Sequence, residues 1–265
     1  MLLTIDCGNT NILFAIFDGS KIIYQYRCKT SQIDKFLKKI KNKNSNLNFK
    51  KVKDIIISSV VPGLDILIKN MCSDFFSIIP TFVDYKSISS NLELNLKNPC
   101  EVGSDRIVNA IAISYLYKLP SLVVDFGTAT TFDIILPSKN KKGNYHGGII
   151  VPGVKTSILS LINSAEKLSS ISLNELQKVN NNIPVVGKNT NEAMFSGIYW
   201  GYISLINGLI ELISNQYGKF NNIVFTGGLS NLFLNYYKNT VSFDSNLTVK
   251  GLKIIFDLQK IKGKK

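Results

Sequence analysis

Two stretches of the 265-residue sequence place an aspartate at the end of an apolar run, with a glycine turn directly after it. They are residues 5–10 and 124–130, and their aspartates are Asp6 and Asp125. Glycine lets the backbone approach a ligand closely, and the N–H and hydroxyl groups that follow can donate to phosphate oxygens. A carboxylate beside such a turn can hold the metal ion of a nucleotide. The repeat therefore predicts two strand–turn–strand motifs that face one another across a phosphate-binding cleft.

A third group with residue types suited to catalysis is Gly103, Ser104, Asp105 and Arg106, directly before a helical pattern. In one interpretation Asp105 caps that helix by accepting hydrogen bonds from its free N–H groups. In the other, Asp105 is a general base that takes a proton from a substrate hydroxyl, and Arg106 binds an anionic group. The spacing alone leaves both interpretations open.

Two further positions are candidates for ligand contacts. Thr190, which follows Asn189 at the start of a long helical pattern, could bind substrate or only its own helix. Residues 226–228, Thr-Gly-Gly after an apolar strand, could let an adenine lie against the backbone. The only histidine, His146, supports neither a zinc site nor a catalytic triad. Neither a P-loop nor a Gly-x-Gly-x-x-Gly sequence after a strand occurs.

The apolar periodicity predicts an α/β fold with mixed sheets. In the first half it indicates strands at residues 2–6, 12–17, 22–27, 54–61 and 78–83, a lysine-rich helix from Ser31, and a helix at 64–76. It then indicates a helix from Ser104. In the second half it indicates strands at 122–125 and 131–136, a turn at Gly147-Gly148 before a strand at 149–151, and a helix opened by Pro152-Gly153. Because the halves begin alike, we expect two related domains, residues 1–118 and 119–265.

The apolar segment 193–213 has one charged residue, Glu211, and a Gly197-x-x-x-Gly201 pair suited to close helix contact. Its length fits a membrane span. Several tyrosines, serines and Asn207 dilute its hydrophobicity. We therefore expect a buried helix, at a subunit interface, and no membrane span.

The composition limits the partners and the compartment. A formal net charge of +13 raises nucleic acid as a partner. However, only Arg27 and Arg106 among the 31 basic residues carry the bidentate fork of arginine, which disfavours nucleic-acid binding. The four cysteines form no C-x-x-C pair, so we expect buried free thiols. Asp6 and Asn9 interrupt the first apolar run, so no secretory signal is predicted and the cytoplasm is the expected compartment.

Taken together, these motifs resemble the type III pantothenate kinases, and they span nearly the whole chain in that family's order. The matching blocks are residues 6–11, 58–62, 101–110, 125–131, 147–153, 187–190, 192–194 and 226–228. The family belongs to the superfamily of acetate and sugar kinases, actin and heat-shock ATPases. The resemblance thus implies two related ribonuclease H-like domains with mixed sheets, the actin-like ATPase fold.

The resemblance also implies a reaction: ATP-dependent phosphorylation of pantothenate to 4'-phosphopantothenate, the first step of coenzyme A biosynthesis. It implies that ATP is bound by Asp6, Cys7, Gly8, Asn9, Thr10, Asn11, Ile12, Leu13 and Thr128, with Asp6 serving Mg²⁺. It implies that pantothenate is bound by Gly103, Ser104, Asp105, Arg106 and Thr190, with Asp105 as proton acceptor. A monovalent cation, K⁺ or NH₄⁺, is implied at Asp125, and the enzyme is expected to be a cytoplasmic homodimer.

Two residues depart from the family pattern. Leu96 stands where relatives often have a tyrosine, which removes one hydrogen-bond donor to the substrate. Ser104 stands where alanine is usual. Two alternative functions stay open at this point: a kinase of the same fold for another small hydroxylated substrate, and a non-catalytic accessory factor for transcription.

Overall fold

The computed structural model describes residues 1–33, 49–164 and 183–262. Most of the lysine-rich helix predicted from Ser31 lies outside the described residues. The strands are β1 (Leu2–Cys7), β2 (Asn11–Asp18), β3 (Lys21–Lys29), β4 (Asp54–Ser59), β5 (Thr81–Phe82), β6 (Leu92–Leu94), β7 (Ser121–Phe126), β8 (Ala129–Leu136), β9 (Gly143–Pro152), β10 (Asn222–Thr226) and β11 (Ser242–Phe243). The helices are α1 (Pro62–Phe76), α2 (Tyr85–Ile88), α3 (Ser104–Leu116), α4 (Val154–Ser164), α5 (Thr190–Tyr217), α6 (Leu234–Tyr237) and α7 (Leu247–Lys262).

The first sheet has the strand order β3-β2-β1-β4-β5. β1 pairs antiparallel with β2 and parallel with β4, so the predicted mixed sheet is confirmed. Because side chains alternate between the faces of a strand, Leu3, Ile5 and Cys7 share one face, where they join a buried cluster with Ile68 and Cys72 of α1. The opposite face of β1 carries Thr4 and Asp6.

Helices α3 and α7 pack against one another at short range. A β-carbon on Gly251 of α7 would overlap the carbonyl oxygen of Val108 in α3. Beside this contact, the hydroxyl of Thr248 donates to Asn109 Oδ1 at 2.9 Å. Since Asn109 is 1% exposed, its side chain depends on such a partner.

The second sheet has the order β11-β10-β7-β8-β9-β6. β10 pairs parallel with both β7 and β11, whereas β6 pairs parallel with the start of β9. The turn predicted at Gly147-Gly148 is wrong, because β9 runs from Gly143 through Pro152. Gly147 has φ +83°, which glycine tolerates inside an irregular strand.

Two units emerge from the packing of the chain. The first contains Met1–Leu119, Ile135–Gly147 and Asn246–Lys265, and the second contains Pro120–Ile134 and Gly148–Ser245. The division of the chain into domains 1–118 and 119–265 stays a prediction.

Helix α5 covers the segment for which a buried helix was expected. Its buried positions are Met194, Ser196, Tyr202, Ile203, Ile206 and Ile213. By length and composition alone it could cross a membrane, and 28% of its most apolar window is buried. Among the described residues, nothing lies within 4 Å of a β-carbon built on Gly197 or Gly201. The expected burial therefore applies to one side of α5 only.

Candidate active site

The first aspartate turn is a tight connection between β1 and β2. The N–H of Gly8 donates to the Asn11 carbonyl at 3.0 Å, which leaves Asn9 and Thr10 at the tip. Thr30 fastens the turn from outside, because its hydroxyl donates to the Gly8 carbonyl at 2.6 Å. Asn9 is exposed, and its side chain and the turn backbone can meet a ligand.

Asp6 lies one residue before the end of β1, opposite Ser58 of the parallel strand β4. Ligands of open α/β sheets bind beyond the carboxyl ends of the strands, which is where Asp6 stands. The side chains of Cys7, Ile12 and Leu13 are buried. These three predicted ATP contacts can therefore be made only by backbone atoms.

The thiol of Cys7 is unreactive, although the residue lies next to the turn. Burial raises the pKa of its thiol from 9.0 to about 11, and a hydrogen bond with Ser59 opposes this only in part. The thiolate is the reactive form of cysteine, so this group is inert near neutral pH. Cys28 and Cys72 are also buried free thiols as predicted, whereas the prediction is wrong for Cys100, which is exposed.

The catalytic candidate Asp105 occupies the second position of α3. Gly103 is the N-cap residue and makes no side-chain cap, so the interpretation of Asp105 as the N-cap is wrong. Its Oδ1 instead accepts from the N–H of Arg106 at 2.8 Å. A β-carbon on Gly103 would lie 2.6 Å from the same oxygen, so glycine is required to leave room for this carboxylate.

Arg106, the predicted anion-binding residue, lies over a wholly buried tyrosine, with its guanidinium carbon 6.0 Å from the centroid of the Tyr145 ring. The strand that carries Tyr145 continues to Gly147, where an added β-carbon would lie 3.2 Å from Leu96 Cδ2. His146 is half-buried, with Nδ1 3.4 Å from Asn95 Nδ2. The first unit thus brings Arg106 and Leu96 to the β6–β9 ladder.

The second aspartate turn is built like the first. Asp125 lies one residue before the end of β7, opposite Thr226 of the parallel strand β10. The N–H of Gly127 donates to the Ala129 carbonyl at 3.0 Å. Thr128 is exposed at the tip, and its carbonyl accepts from the N–H of Gly153 at 3.1 Å and from the hydroxyl of Thr156 at 2.7 Å.

Gly153 and Gly227 pack against this turn, and the sequence alone did not predict these contacts. A β-carbon on Gly153 would lie 2.5 Å from the Gly127 carbonyl oxygen. Gly227 has φ +88°, and its β-carbon would overlap the carboxylate of Asp125. In the sequence, each of these glycines directly follows an apolar strand. A glycine there indicates that another group approaches the backbone closely, but it does not identify that group. Thr130, two residues past Thr128, has a buried hydroxyl with no hydrogen-bond partner among the described residues, which a bound ligand or water can satisfy.

Thr190 belongs to the second unit, at the first position of α5. The side chain of Asn189 accepts from the N–H of Glu192 at 2.9 Å and caps the helix. Glu192 Oε2 accepts from the N–H of Lys188 at 2.8 Å. Thr190 itself is exposed. The cap is therefore supplied by Asn189, and Thr190 is not needed for that role.

Among the described residues, no group of three or more His, Cys, Asp or Glu side chains is placed to hold a metal ion. Mg²⁺ in phosphoryl-transfer sites is commonly held by one or two carboxylates together with phosphate and water oxygens. Asp6, a single carboxylate beside the first turn, fits that kind of coordination.

Solved structures with a similar fold span almost the full chain. A conserved protein described within the Baf family of transcriptional activators from Campylobacter jejuni has a TM-score of 0.61 at 21% identity, over 97% of this chain and 98% of its own. The activator of the 2-hydroxyisocaproyl-CoA dehydratase from Clostridium difficile, with bound ADPNP, has a TM-score of 0.55 at 12% identity, covering 99% and 97%. MreB 5 of Spiroplasma citri, bound to AMPPNP, has a TM-score of 0.54 at 12% identity, covering 99% and 98%.

The chain thus has the actin-like ATPase fold, as predicted, with one aspartate turn in each of its two units. A family profile described as type III pantothenate kinase matches residues 2–212. Relatives of that name include proteins from Paramagnetospirillum magneticum, 38% identical over 95% of both chains, and Exiguobacterium, 36% identical over 97% of this chain and 98% of its own. The chain belongs to the type III pantothenate kinase family. It is therefore an enzyme, a kinase that uses ATP.

Proposed function

We propose that this enzyme transfers the γ-phosphoryl group of ATP to the primary hydroxyl of pantothenate and so forms 4'-phosphopantothenate. The proposal rests on the placement of Asp105 and Arg106 at the start of α3, beside the end of β4, the parallel neighbour of β1. This arrangement adds a base and an anion-binding group to a phosphate turn within one unit. The family membership supports pantothenate as the acceptor.

Phosphoryl transfer depends mainly on positioning and on neutralising charge. We propose that the turn from Asp6 to Leu13 contacts ATP through its backbone N–H groups, Asn9 and Thr10, and that Thr128 contacts ATP from the second turn. Asp6 is the residue that would hold Mg²⁺. The metal supplies positive charge to the phosphates when it is bound.

Asp105 would act as general base, and its geometry suits that task. One carboxylate oxygen is fixed by the N–H of Arg106, which orients the group at the helix start. The exposed fraction of Asp105 is intermediate, so a substrate hydroxyl can reach it. Arg106 would bind the carboxylate of pantothenate, because guanidinium pairs well with carboxylate geometry.

Asp125 would hold the monovalent cation. Support comes from its carboxylate, an oxygen donor suited to hard cations, and from Gly227, which lets the backbone pack directly against that carboxylate. Thr190 would contact pantothenate from the start of α5.

A coupled assay of ADP release tests the proposal. Purified protein, MgATP and pantothenate are combined in Na⁺, K⁺ or NH₄⁺ buffers, with acetate and a sugar panel as alternative acceptors. We expect pantothenate-dependent ADP release in K⁺ and NH₄⁺ and almost none in Na⁺ alone. Full turnover in Na⁺ contradicts the Asp125 assignment, and release with another acceptor but not pantothenate contradicts the substrate.

We further propose a cytoplasmic homodimer that uses the exposed side of α5. There the β-carbon positions of Gly197 and Gly201 have no neighbour within 4 Å among the described residues, and Leu212 is 65% exposed. As part of the same proposal we expect no membrane span, and the scarcity of arginine disfavours nucleic-acid binding. Sedimentation velocity should give one species of twice the 29.5 kDa chain mass, and a monomer would contradict it.

A further inference from the structure

A buried pair of hydroxyls joins the end of β4 to the start of α3. Ser58 Oγ lies 2.9 Å from Ser104 Oγ. The hydroxyl of Ser104 also donates to the carbonyl oxygen of Ser59 at 2.9 Å. Since a serine hydroxyl has one hydrogen, and that of Ser104 is used on Ser59, the bond between the two serines must be donated by Ser58.

This arrangement connects two candidate site residues. Ser58 is opposite Asp6 in the parallel register of β1 and β4, so their side chains share one face of the sheet. Ser104 directly precedes Asp105. Ser58 is 1% exposed and Ser104 is 9% exposed, so water competes little for these bonds.

Ser59, the last residue of β4, is held in place by hydrogen bonds of its own side chain. The hydroxyl of Ser59 donates to Asp65 Oδ1 at 2.6 Å and accepts from the N–H of Val61 at 3.2 Å. The carbonyl that receives Ser104 is therefore held by a residue tied to α1. A rigid acceptor makes the Ser104 bond a constraint on where α3 begins.

We infer that the hydroxyl bridge from Ser58 through Ser104 to the Ser59 carbonyl positions the start of α3, and with it Asp105, relative to Asp6. Ser104 is a positioning residue, and its side chain is engaged with the protein, so any contact with substrate comes from its backbone. The inference rests on the proposed function, in which Asp105 is the base. Alanine at this position keeps the helix and removes both hydrogen bonds.

The kinetic test compares Ser104→Ala, Ser58→Ala and the double variant with Ser114→Ala. Ser114 is a matched control because it is a buried serine of the same helix whose hydroxyl donates to the Ala110 carbonyl at 2.8 Å, away from Asp105. We expect both single variants to lower kcat about 3- to 10-fold, with less than about twofold change in KM for pantothenate. The double variant should be no slower than the slower single variant, because the bridge is one unit.

Three results would overturn the inference. They are wild-type kcat in Ser104→Ala, an equal loss in Ser114→Ala, and losses from Ser58→Ala and Ser104→Ala that multiply in the double variant. Each would show that the hydroxyls do not act together on Asp105.

Amide hydrogen exchange of the free protein tests the bridge without any assay of turnover. The amides of Arg106 and Ile107, hydrogen-bonded at 2.8 and 3.3 Å, should exchange at least about threefold faster in Ser104→Ala than in wild type, and at the wild-type rate in Ser114→Ala. Unchanged exchange overturns the inference even if pantothenate is the substrate. Faster exchange in a protein that does not phosphorylate pantothenate overturns the proposed function and leaves the bridge standing.

Discussion

Asp105 shows how one residue gains a chemical role from its backbone neighbours. Its Oδ1 is fixed by the N–H of Arg106, and Gly103 supplies the space that the carboxylate occupies. A first-turn carboxylate also interacts favourably with the helix N-terminus. Stability and orientation thus favour the same side-chain position.

Asp105→Asn should lower kcat about 10²- to 10⁴-fold, because the amide cannot accept the hydroxyl proton. Its shape is nearly unchanged, so the melting temperature should stay within a few degrees. Steady-state ADP release measures the effect. Asp54→Asn is the control, since Asp54 pairs with Lys260 at 3.0 Å on the surface and should keep wild-type turnover. Wild-type kcat in Asp105→Asn would show that another group accepts the proton.

Gly227→Ala should abolish most activity, because its methyl group would overlap the Asp125 carboxylate. Gly218→Ala is a matched control: Gly218 has φ +85° and nothing within 4 Å of its β-carbon, so it carries the backbone strain without the clash. Both should lose about 1–3 kcal/mol of stability from the positive-φ backbone, which a residue with a β-carbon rarely adopts. Only Gly227→Ala should raise the K⁺ concentration needed for half-maximal rate. Equal activity in the two variants contradicts a role for Gly227 at Asp125.

Residues close in sequence were more predictable than residues brought together by the fold. The turns after Asp6 and Asp125 were visible because aspartate, glycine and hydroxyl residues are adjacent there. The contact of Gly227 with Asp125 and the bond of Ser58 to Ser104, 46 positions away, depend on strand register and helix placement. A single sequence does not encode those pairings in any local pattern.

At the scale of elements, the approach of α7 to α3 is set by Gly251. Alanine favours a helix over glycine by about 1 kcal/mol. Here that gain competes with overlap between the new methyl group and the Val108 carbonyl. Overpacking of a core commonly costs about 1–3 kcal/mol, so the clash should outweigh the gain.

Gly251→Ala should therefore lower the melting temperature, whereas Gly63→Ala in α1 should raise it. Gly63 is exposed and has nothing within 4 Å of its β-carbon among the described residues, so only the helix preference acts there. Differential scanning calorimetry at pH 7 measures both variants. A stabilised Gly251→Ala protein would show that α7 can move away from α3 without loss.

Element boundaries followed local rules where those rules were strong. Pro62 begins α1 two residues before the predicted start, which suits proline at a first helical position. The strand expected at 78–83 contracts to Thr81–Phe82, since β5 is an edge strand that pairs only with β4. The error at Gly147 arose because a glycine pair predicts a turn equally well when it lies inside an irregular strand.

At the scale of the whole molecule, buried thiols lower the free energy of unfolding at alkaline pH. Burial raises the pKa of Cys7 from 9.0 to about 11 and that of Cys72 from 9.0 to about 12. Below pH 9 both folded and unfolded chains keep these protons. Above it the unfolded chain loses them first, so the free energy of unfolding falls as pH rises toward the folded pKa values.

Thermal melts from pH 8 to 11 should therefore show a falling melting temperature, with a smaller slope in Cys72→Ala. That variant should also be less stable at pH 8 because of its cavity. Cys100→Ala, at an exposed site, should keep the wild-type slope. A slope unchanged by Cys72→Ala would assign the alkaline loss to other groups.

The first unit takes its last segment, Asn246–Lys265, from the end of the chain. At roughly 5–20 residues per second, a ribosome needs on the order of ten seconds to go from residue 119 to residue 246. Throughout that interval the α3 surface around Val108 and Asn109 has no α7 to cover it. The unit that carries Asp105 is thus completed only after residue 246 has been synthesised, so a stop codon before that residue would leave the α3 surface uncovered and expose the nascent protein to chaperones and proteases.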